Sequence, residues 1–271
     1  MTDLLAVDGL GVRSATGRVL VSGLSFSMRA GDRLGLVGES GSGKTLTALA
    51  IAGLLPAGMT ASGSVVLDVP SLPRTEVVGA AERRLNRLRG RGVTVVFQEP
   101  LAALDPLMPV GRQVAGPLRR RSGLRGAALR RAVLRALAEV RLADPERIAG
   151  AYPHEISGGQ RQRVAIATAL ACEPALLIAD EPTSSLDVTV QAEVLALLGD
   201  LVGARGTALL FIGHDLGVVT GVADRLLVMK DGAAVESGTA RAVTCEPSHP
   251  YTRELVAGAR RLDDALGGML R

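Results

Sequence analysis

Of the 31 basic residues in this 271-residue chain, only Lys44 and Lys230 are lysines; the rest are arginines. Lys44 closes Gly38-Glu39-Ser40-Gly41-Ser42-Gly43-Lys44-Thr45, a glycine, four residues, a glycine, a lysine and a hydroxyl residue. Glycines at those positions let the backbone fold back so that its N–H groups and a following helix N-terminus point at phosphate oxygens. A compact ammonium at Lys44 suits the β- and γ-phosphates of ATP as a point charge, which a planar guanidinium does not copy, and Thr45 offers a hydroxyl oxygen to Mg²⁺. The flanks agree with this chemistry. Arg33-Leu34-Gly35-Leu36-Val37 reads as a short buried strand, and Leu46 to Leu55 as an Ala/Leu-rich helix ended by Pro56.

A second constellation lies further along. Ala175-Leu176-Leu177-Ile178-Ala179 is an apolar strand that ends in two carboxylates, Asp180 and Glu181. Beside a phosphate loop, the first acid completes a Mg²⁺ shell and the second polarises an attacking water. Between the two constellations stands Ile156-Ser157-Gly158-Gly159-Gln160-Arg161-Gln162-Arg163, which opens the helical run Val164 to Ala171. A hydroxyl, two glycines and a helix N-terminus make a second anion cradle.

That octet resembles the signature of ATP-binding cassette (ABC) ATPases, with Ile156 where leucine is usual. The resemblance extends in order to Gln98 in Phe97-Gln98-Glu99-Pro100, to Ser185-Leu186-Asp187 after the paired acids, and to His214 in Ile212-Gly213-His214-Asp215. It implies that the signature residues Ser157, Gly158, Gly159 and Gln160 of one nucleotide-binding domain close over ATP held on a partner. It further implies that Gln98 senses Mg²⁺ and the lytic water, that Asp187 lines the dimer interface, and that His214 contacts the γ-phosphate. A narrower likeness, to the ATPase subunits of peptide and nickel importers, is carried by Leu101-Ala102-Ala103-Leu104-Asp105-Pro106 and by Ser248-His249-Pro250-Tyr251-Thr252-Arg253. The second stretch reads as a docking element rather than a ligand set, and His154 as architectural.

One position departs from the family pattern. An aromatic usually stacks on adenine near the end of the first strand, whereas here Gly11-Val12-Arg13-Ser14 contains none of the chain's five aromatics. The guanidinium of Arg13 is the expected substitute, since a planar cation suits a π face.

These residues need a scaffold. Residues from about 1 to 30 and 62 to 69 alternate apolar and polar positions, as an antiparallel layer does. The strands ending at the phosphate loop, Gln98, Asp180 and His214 are short apolar runs separated by helical stretches, the pattern of a mostly parallel sheet wrapped by helices. From about 100 to 163 strand patterns disappear, and Leu129 to Leu142 repeats apolar residues at helical spacing. The expected fold class is therefore α/β: a phosphate-loop NTPase core, an N-terminal antiparallel β subdomain and an inserted α-helical subdomain. The core is expected over residues 1–99 and 174–245, the helical part and signature over 100–173, and a short docking tail over 246–271.

Composition narrows the remaining possibilities. With 47% hydrophobic and 21% charged residues and a net charge of +4, the chain is neither disordered nor strongly basic. Cys172 and Cys245 stand apart without His or Cys neighbours, so no disulfide framework, zinc site or iron–sulfur cluster is expected. No apolar run approaches the about 18 residues of a membrane span, and the acidic N-terminus does not read as a signal peptide. Arg119-Arg120-Arg121 lacks interleaved aromatics, which argues against nucleic acid and suits a face near anionic lipid.

The resemblance thus implies a peripheral ATPase on the cytoplasmic face of the inner membrane. Its partners would be a second ATPase subunit, self or sister, two membrane permease subunits and, indirectly, an extracytoplasmic substrate-binding protein. The alternative is a soluble ABC ATPase serving as an assembly or remodelling module of a non-transport complex.

Overall fold

The computed structural model describes residues 2–70, 72–99 and 103–265. Pro100, Leu101 and Ala102 of the stretch after Gln98, and residues 266–271 of the tail, lie outside them. The chain divides into two compact units, one formed by Met1–Asn86 with Ala208–Arg271 and the other by Arg87–Thr207. The strands that lead to Gln98 and Asp180 fall in the same unit as the helical segment.

In the first unit, β1 (Leu5–Arg13), β2 (Val19–Met28), β4 (Thr60–Leu67) and β5 (Thr75–Glu76) form an antiparallel sheet in the order β2-β1-β4-β5. The alternation read from the sequence is visible as burial: Leu5, Val7, Leu10 and Val12 are buried along β1. A second layer holds β3 (Arg33–Val37) between β8 (Ala208–Gly213) and β9 (Arg225–Lys230), both parallel to it, with β10 (Ala233–Thr239) antiparallel on β9. Buried on both faces, β3, β8 and β9 are near-continuous apolar runs, as covered parallel strands are, whereas β10 is only half-buried. The layers meet where Ser22 N–H donates to Gly232 O at 2.8 Å.

Helix α1 (Lys44–Ile51) follows β3 and stops short of the Leu55 expected from composition. Its end is a Schellman turn: Gly53 takes φ of 65°, its N–H donates to Ala50 O, and Leu54 N–H donates to Leu49 O. Leu85 of α2 (Glu82–Leu88) lies 2.9 Å from where a Gly53 Cβ would stand, so both the turn and the packing select glycine.

The second unit pairs β6 (Val93–Val96) in parallel with β7 (Leu176–Asp180). Around them lie α3 (Val110–Ser122), α4 (Gly126–Glu139), α5 (Pro145–Gly150), α6 (Gly158–Leu170) and α7 (Val188–Arg205). The apolar spacing read at 129–142 becomes the buried face Ala132, Val133 and Leu137 of α4. Among the described residues no helix is long and apolar enough to cross a membrane.

Between β8 and β9 lies α8 (Leu216–Thr220), and after β10 the first unit closes with α9 (Ala240–Cys245) and α10 (Pro250–Ala265). The turn into α10 is tied to Glu236, whose carboxylate accepts from Ser248 N–H at 2.8 Å, Ser248 Oγ at 2.9 Å and His249 N–H at 3.0 Å. Burial pushes this carboxyl up. The Ser248 N–H, then the nearby Thr252 hydroxyl, the His249 N–H and the Ser248 hydroxyl outweigh burial and hold it at about 2, below its ordinary 4.5. Thr252 acts by proximity, since among the described residues its hydroxyl has no partner at hydrogen-bond geometry.

A depressed carboxylate stabilises the fold above its unfolded pKa and loses that contribution as the pH falls through the folded value. Glu236→Gln is therefore expected to lower the melting temperature at pH 7, and the gap from wild type should shrink between pH 4.5 and about 2. Thermal melts across that range check it; a gap that does not vary with pH would contradict the assignment.

Candidate functional site

Within each unit the sequence-predicted residues leave the same ends of adjacent parallel strands. In the first, Val37 of β3 pairs with Gly213 of β8, so Gly38 and His214 emerge side by side at carboxyl ends. In the second, Val96 of β6 pairs with Ala179 of β7, which brings Gln98 and the Asp180–Glu181 pair off neighbouring ends. Carboxyl ends of parallel strands are where α/β proteins bind ligands.

The phosphate loop is braced from several sides. A Cβ on Gly38 would stand 2.2 Å from Met229 O, and one on Gly43 3.0 Å from Val21 Cγ2 and 3.1 Å from Leu20 O. Gly43 also has φ of 96°, so neither position accepts a side chain. Ser42 N–H donates to Glu39 O at 3.2 Å, and Gly232 N–H donates to Ser42 O at 3.2 Å. Lys44 is 5% exposed, and its Nζ donates to Gly38 O at 2.7 Å and Glu39 O at 2.9 Å. The ammonium is thereby held over its own loop. Ser42 Oγ is buried and has no hydrogen-bond partner among the described residues, an orphan that a phosphate oxygen would satisfy. Glu39, Ser40, Gly41 and Thr45 are exposed around it.

Asp180 is 5% exposed at the end of a fully buried strand, and Glu181 follows it with φ of 45°. A non-glycine residue in the left-handed region is strained, and such strain concentrates where a side chain must be aimed. Thr45 and Asp180 supply hard oxygen donors, the donor chemistry of Mg²⁺, which takes one or two protein ligands and completes its shell with phosphate and water. Each residue, taken in its own unit, has the donor chemistry that ion takes. Gln98 and His214 are both exposed.

The signature folds as a helix start. Ser157 caps α6: its Oγ accepts from Gln160 N–H at 3.3 Å while Gln160 Oε1 accepts from Ser157 N–H at 3.0 Å, a capping box. Ser157 and Gly158 are exposed. Asp187 likewise caps α7, accepting from Val190 N–H at 3.0 Å. That helix explains one glycine of the pair. A Cβ on Gly159 would stand 2.6 Å from Val190 Cγ1, whereas one on Gly158 would lie at an ordinary 3.6 Å from Leu186 Cδ2.

The two glycines are therefore separable by experiment. Gly159→Ala should lower the melting temperature by several degrees, because the stiff Val190 side chain must shift, while Gly158→Ala should melt close to wild type. If Gly158→Ala also loses ATPase activity by tenfold or more, its role is in the anion cradle; equal activity and stability for both variants would refute the distinction.

Other sequence readings find places too. Arg13, exposed at the end of β1, lies opposite Val19 in the β1–β2 register, and its guanidinium reaches Gly17 O at 3.5 Å. His154 stacks on Tyr152 with ring centroids 5.8 Å apart. Sequence reasoning missed the contact from Tyr251 to the phosphate loop: the Glu39 N–H donates to the Tyr251 hydroxyl at 3.0 Å. The tail's likeness marked the residue but not its target.

The family model described as ABC transporter matches residues 21–184, which contain the phosphate loop, the signature and both carboxylates. The chain belongs to the ABC transporter family.

Relatives of this cassette include the oligopeptide transport ATP-binding protein OppD of Salmonella typhimurium, 44% identical over 98% of this chain and 79% of that protein. The peptidoglycan transport ATP-binding protein YejF of Agrobacterium fabrum is 47% identical over 94% of this chain, which spans only 46% of that protein's length. Among solved structures, the dimeric ATP-binding cassette MJ0796 in a post-hydrolysis state with ADP and Pi superposes with a TM-score of 0.75 at 27% identity. It covers 88% of this chain and 99% of that one. Family and fold together make the chain an ATP-hydrolysing cassette of α/β architecture, with an antiparallel β part and a helical insert.

Proposed function

We propose that this cassette is the ATP-hydrolysing subunit of an importer for peptides, driving partner permeases by closing and reopening around ATP. Similarity to a protein named for oligopeptide transport, over 98% of the chain, carries the cargo class; nickel is the related class to which the motif likeness also extends. The dimeric form of the similar MJ0796 cassette supports a second ATPase subunit, self or sister. Cytoplasmic attachment to the inner membrane follows from that role, as does the indirect link to an extracytoplasmic binding protein.

In the proposed cycle the backbone N–H groups of the loop, apart from those of Glu39 and Ser42 that donate to Tyr251 and Glu39, cradle the phosphates, and Lys44 neutralises charge on the β and γ groups. Thr45 and Asp180 would hold Mg²⁺, which would offset phosphate charge, and Gln98 would sense the ion and the lytic water. Ser157, Gly158, Gly159 and Gln160 of a second cassette present their helix N-terminus to the γ-phosphate, with Asp187 at the seam. Glu181 then takes a proton from the attacking water as its oxygen bonds to γ-phosphorus and the bond to the β–γ bridging oxygen breaks. His214 steadies the γ-phosphate through this exchange.

Arg13 is proposed to cover adenine. Its register with Val19, which is 46% exposed, sets an aliphatic surface beside the guanidinium on one face of the hairpin.

Detergent extraction of the tagged chain tests the transport reading. Co-purification with hydrophobic permease subunits is the expected result, and a purely soluble assembly would replace it with the remodelling alternative.

A further inference from the structure

Tyr251 stands at the start of α10, far in sequence from the phosphate loop, and is 4% exposed. Its hydroxyl accepts the Glu39 N–H at 3.0 Å. That N–H and the Gly38 carbonyl belong to one peptide group, which is planar and trans, so the two point in opposite directions and turn together. Gly38 O is the atom that receives Lys44 Nζ at 2.7 Å. An oxygen on one side of a single rigid plane thus sets where the lysine's acceptor lies on the other side.

The anchor behind that oxygen is built in depth. Glu236 holds Ser248 and His249, and Tyr251 N–H donates to His249 Nδ1 at 3.2 Å. Arg253 donates to Pro247 O at 3.1 Å and to Ser248 O at 2.8 Å, closing the same turn. The ring face carries Lys230 Nζ, 4.7 Å from its centroid, next in sequence to Met229 whose carbonyl crowds Gly38. Both lysines of the chain therefore converge on this peptide, one directly and one through the ring. Burial pushes the phenol above its ordinary 10.0.

We propose that Tyr251 is a positioning residue for nucleotide binding: by fixing the Gly38–Glu39 peptide plane it aims Lys44, which makes the tail after β10 part of the ATP-binding apparatus. The proposal rests on the nucleotide reading of the phosphate loop. It extends that reading to a segment outside residues 21–184, the part the family model matches. Tyr251→Phe removes the oxygen alone and keeps the ring for packing and for Lys230.

The purified full chain and its Tyr251→Phe variant are compared by MgATP hydrolysis kinetics, MgADP titration, thermal melting and amide exchange. The expected result is a rise of about fivefold in KM and in the MgADP dissociation constant, the scale of one lost hydrogen bond, with kcat changed less than KM. Exchange in the segment containing Glu39 should quicken. A merely structural tyrosine would lower the melting temperature and leave KM and the Glu39 exchange at wild-type values, and that pattern overturns the proposal. Wild-type protein that binds neither nucleotide overturns the phosphate-loop reading and the proposal with it, so the two failures are told apart.

Discussion

Replacing Lys44 with alanine is expected to weaken MgATP binding and cut phosphate release by at least about 100-fold, the scale on which loss of preorganised charge stabilisation is felt. The residue is 5% exposed, and its ammonium is held by two loop carbonyls, Gly38 O at 2.7 Å and Glu39 O at 2.9 Å. A charge so placed is aimed before nucleotide arrives and needs little reorganisation to meet it. Alanine removes the cation from the cradle and takes the donor from both carbonyls. Lys44→Arg should not restore activity, because a wide planar guanidinium cannot occupy the space of a compact ammonium beneath a braced loop. Calorimetric titration with MgATP and a phosphate-release assay check both variants; binding within threefold of wild type for Lys44→Ala would remove this residue from the site.

Glu181→Gln should behave in the opposite way toward binding. Turnover is expected to fall by about 10²- to 10⁴-fold, the range for loss of a general base, while ATP affinity is retained. Glutamine keeps the size and the hydrogen-bonding reach of the side chain, so the backbone at φ of 45° experiences no new steric demand. What disappears is the basic oxygen proposed to accept the water's proton. With binding intact and hydrolysis stopped, ATP should accumulate in a closed pair of cassettes, visible as a shift from monomer to dimer mass in light scattering when MgATP is added. Fast turnover in this variant would exclude Glu181 as the base, and arrested turnover without a dimer would break the link between closure and bound ATP.

Much of this architecture is legible in order and spacing. The segment from Arg33 to Ile51 reads as strand, loop and helix because each part has its own local signal: apolar β-formers, glycines with a lysine, then Ala/Leu-rich helix formers. The antiparallel layer is visible as alternation and the helical insert as periodicity. Boundaries are less legible. Helix α1 ends at Ile51 because Gly53 adopts φ of 65° against Leu85, a contact made by a residue more than 30 positions away.

Local roles are where sequence and tertiary structure divide. The sequence by itself determined which atoms are available for phosphate chemistry and in what chain order, since residue type and spacing along a strand, loop or helix are short-range properties. Only the tertiary structure decided why Gly159 must be glycine, through Val190 of α7. It alone joined Tyr251 to the Glu39 N–H, because a hydrogen bond between residues 212 positions apart leaves no periodicity to read. Such contacts arise when distant strands and turns fold into one layer, and their geometry is set by packing rather than by any local preference of the residues that make them.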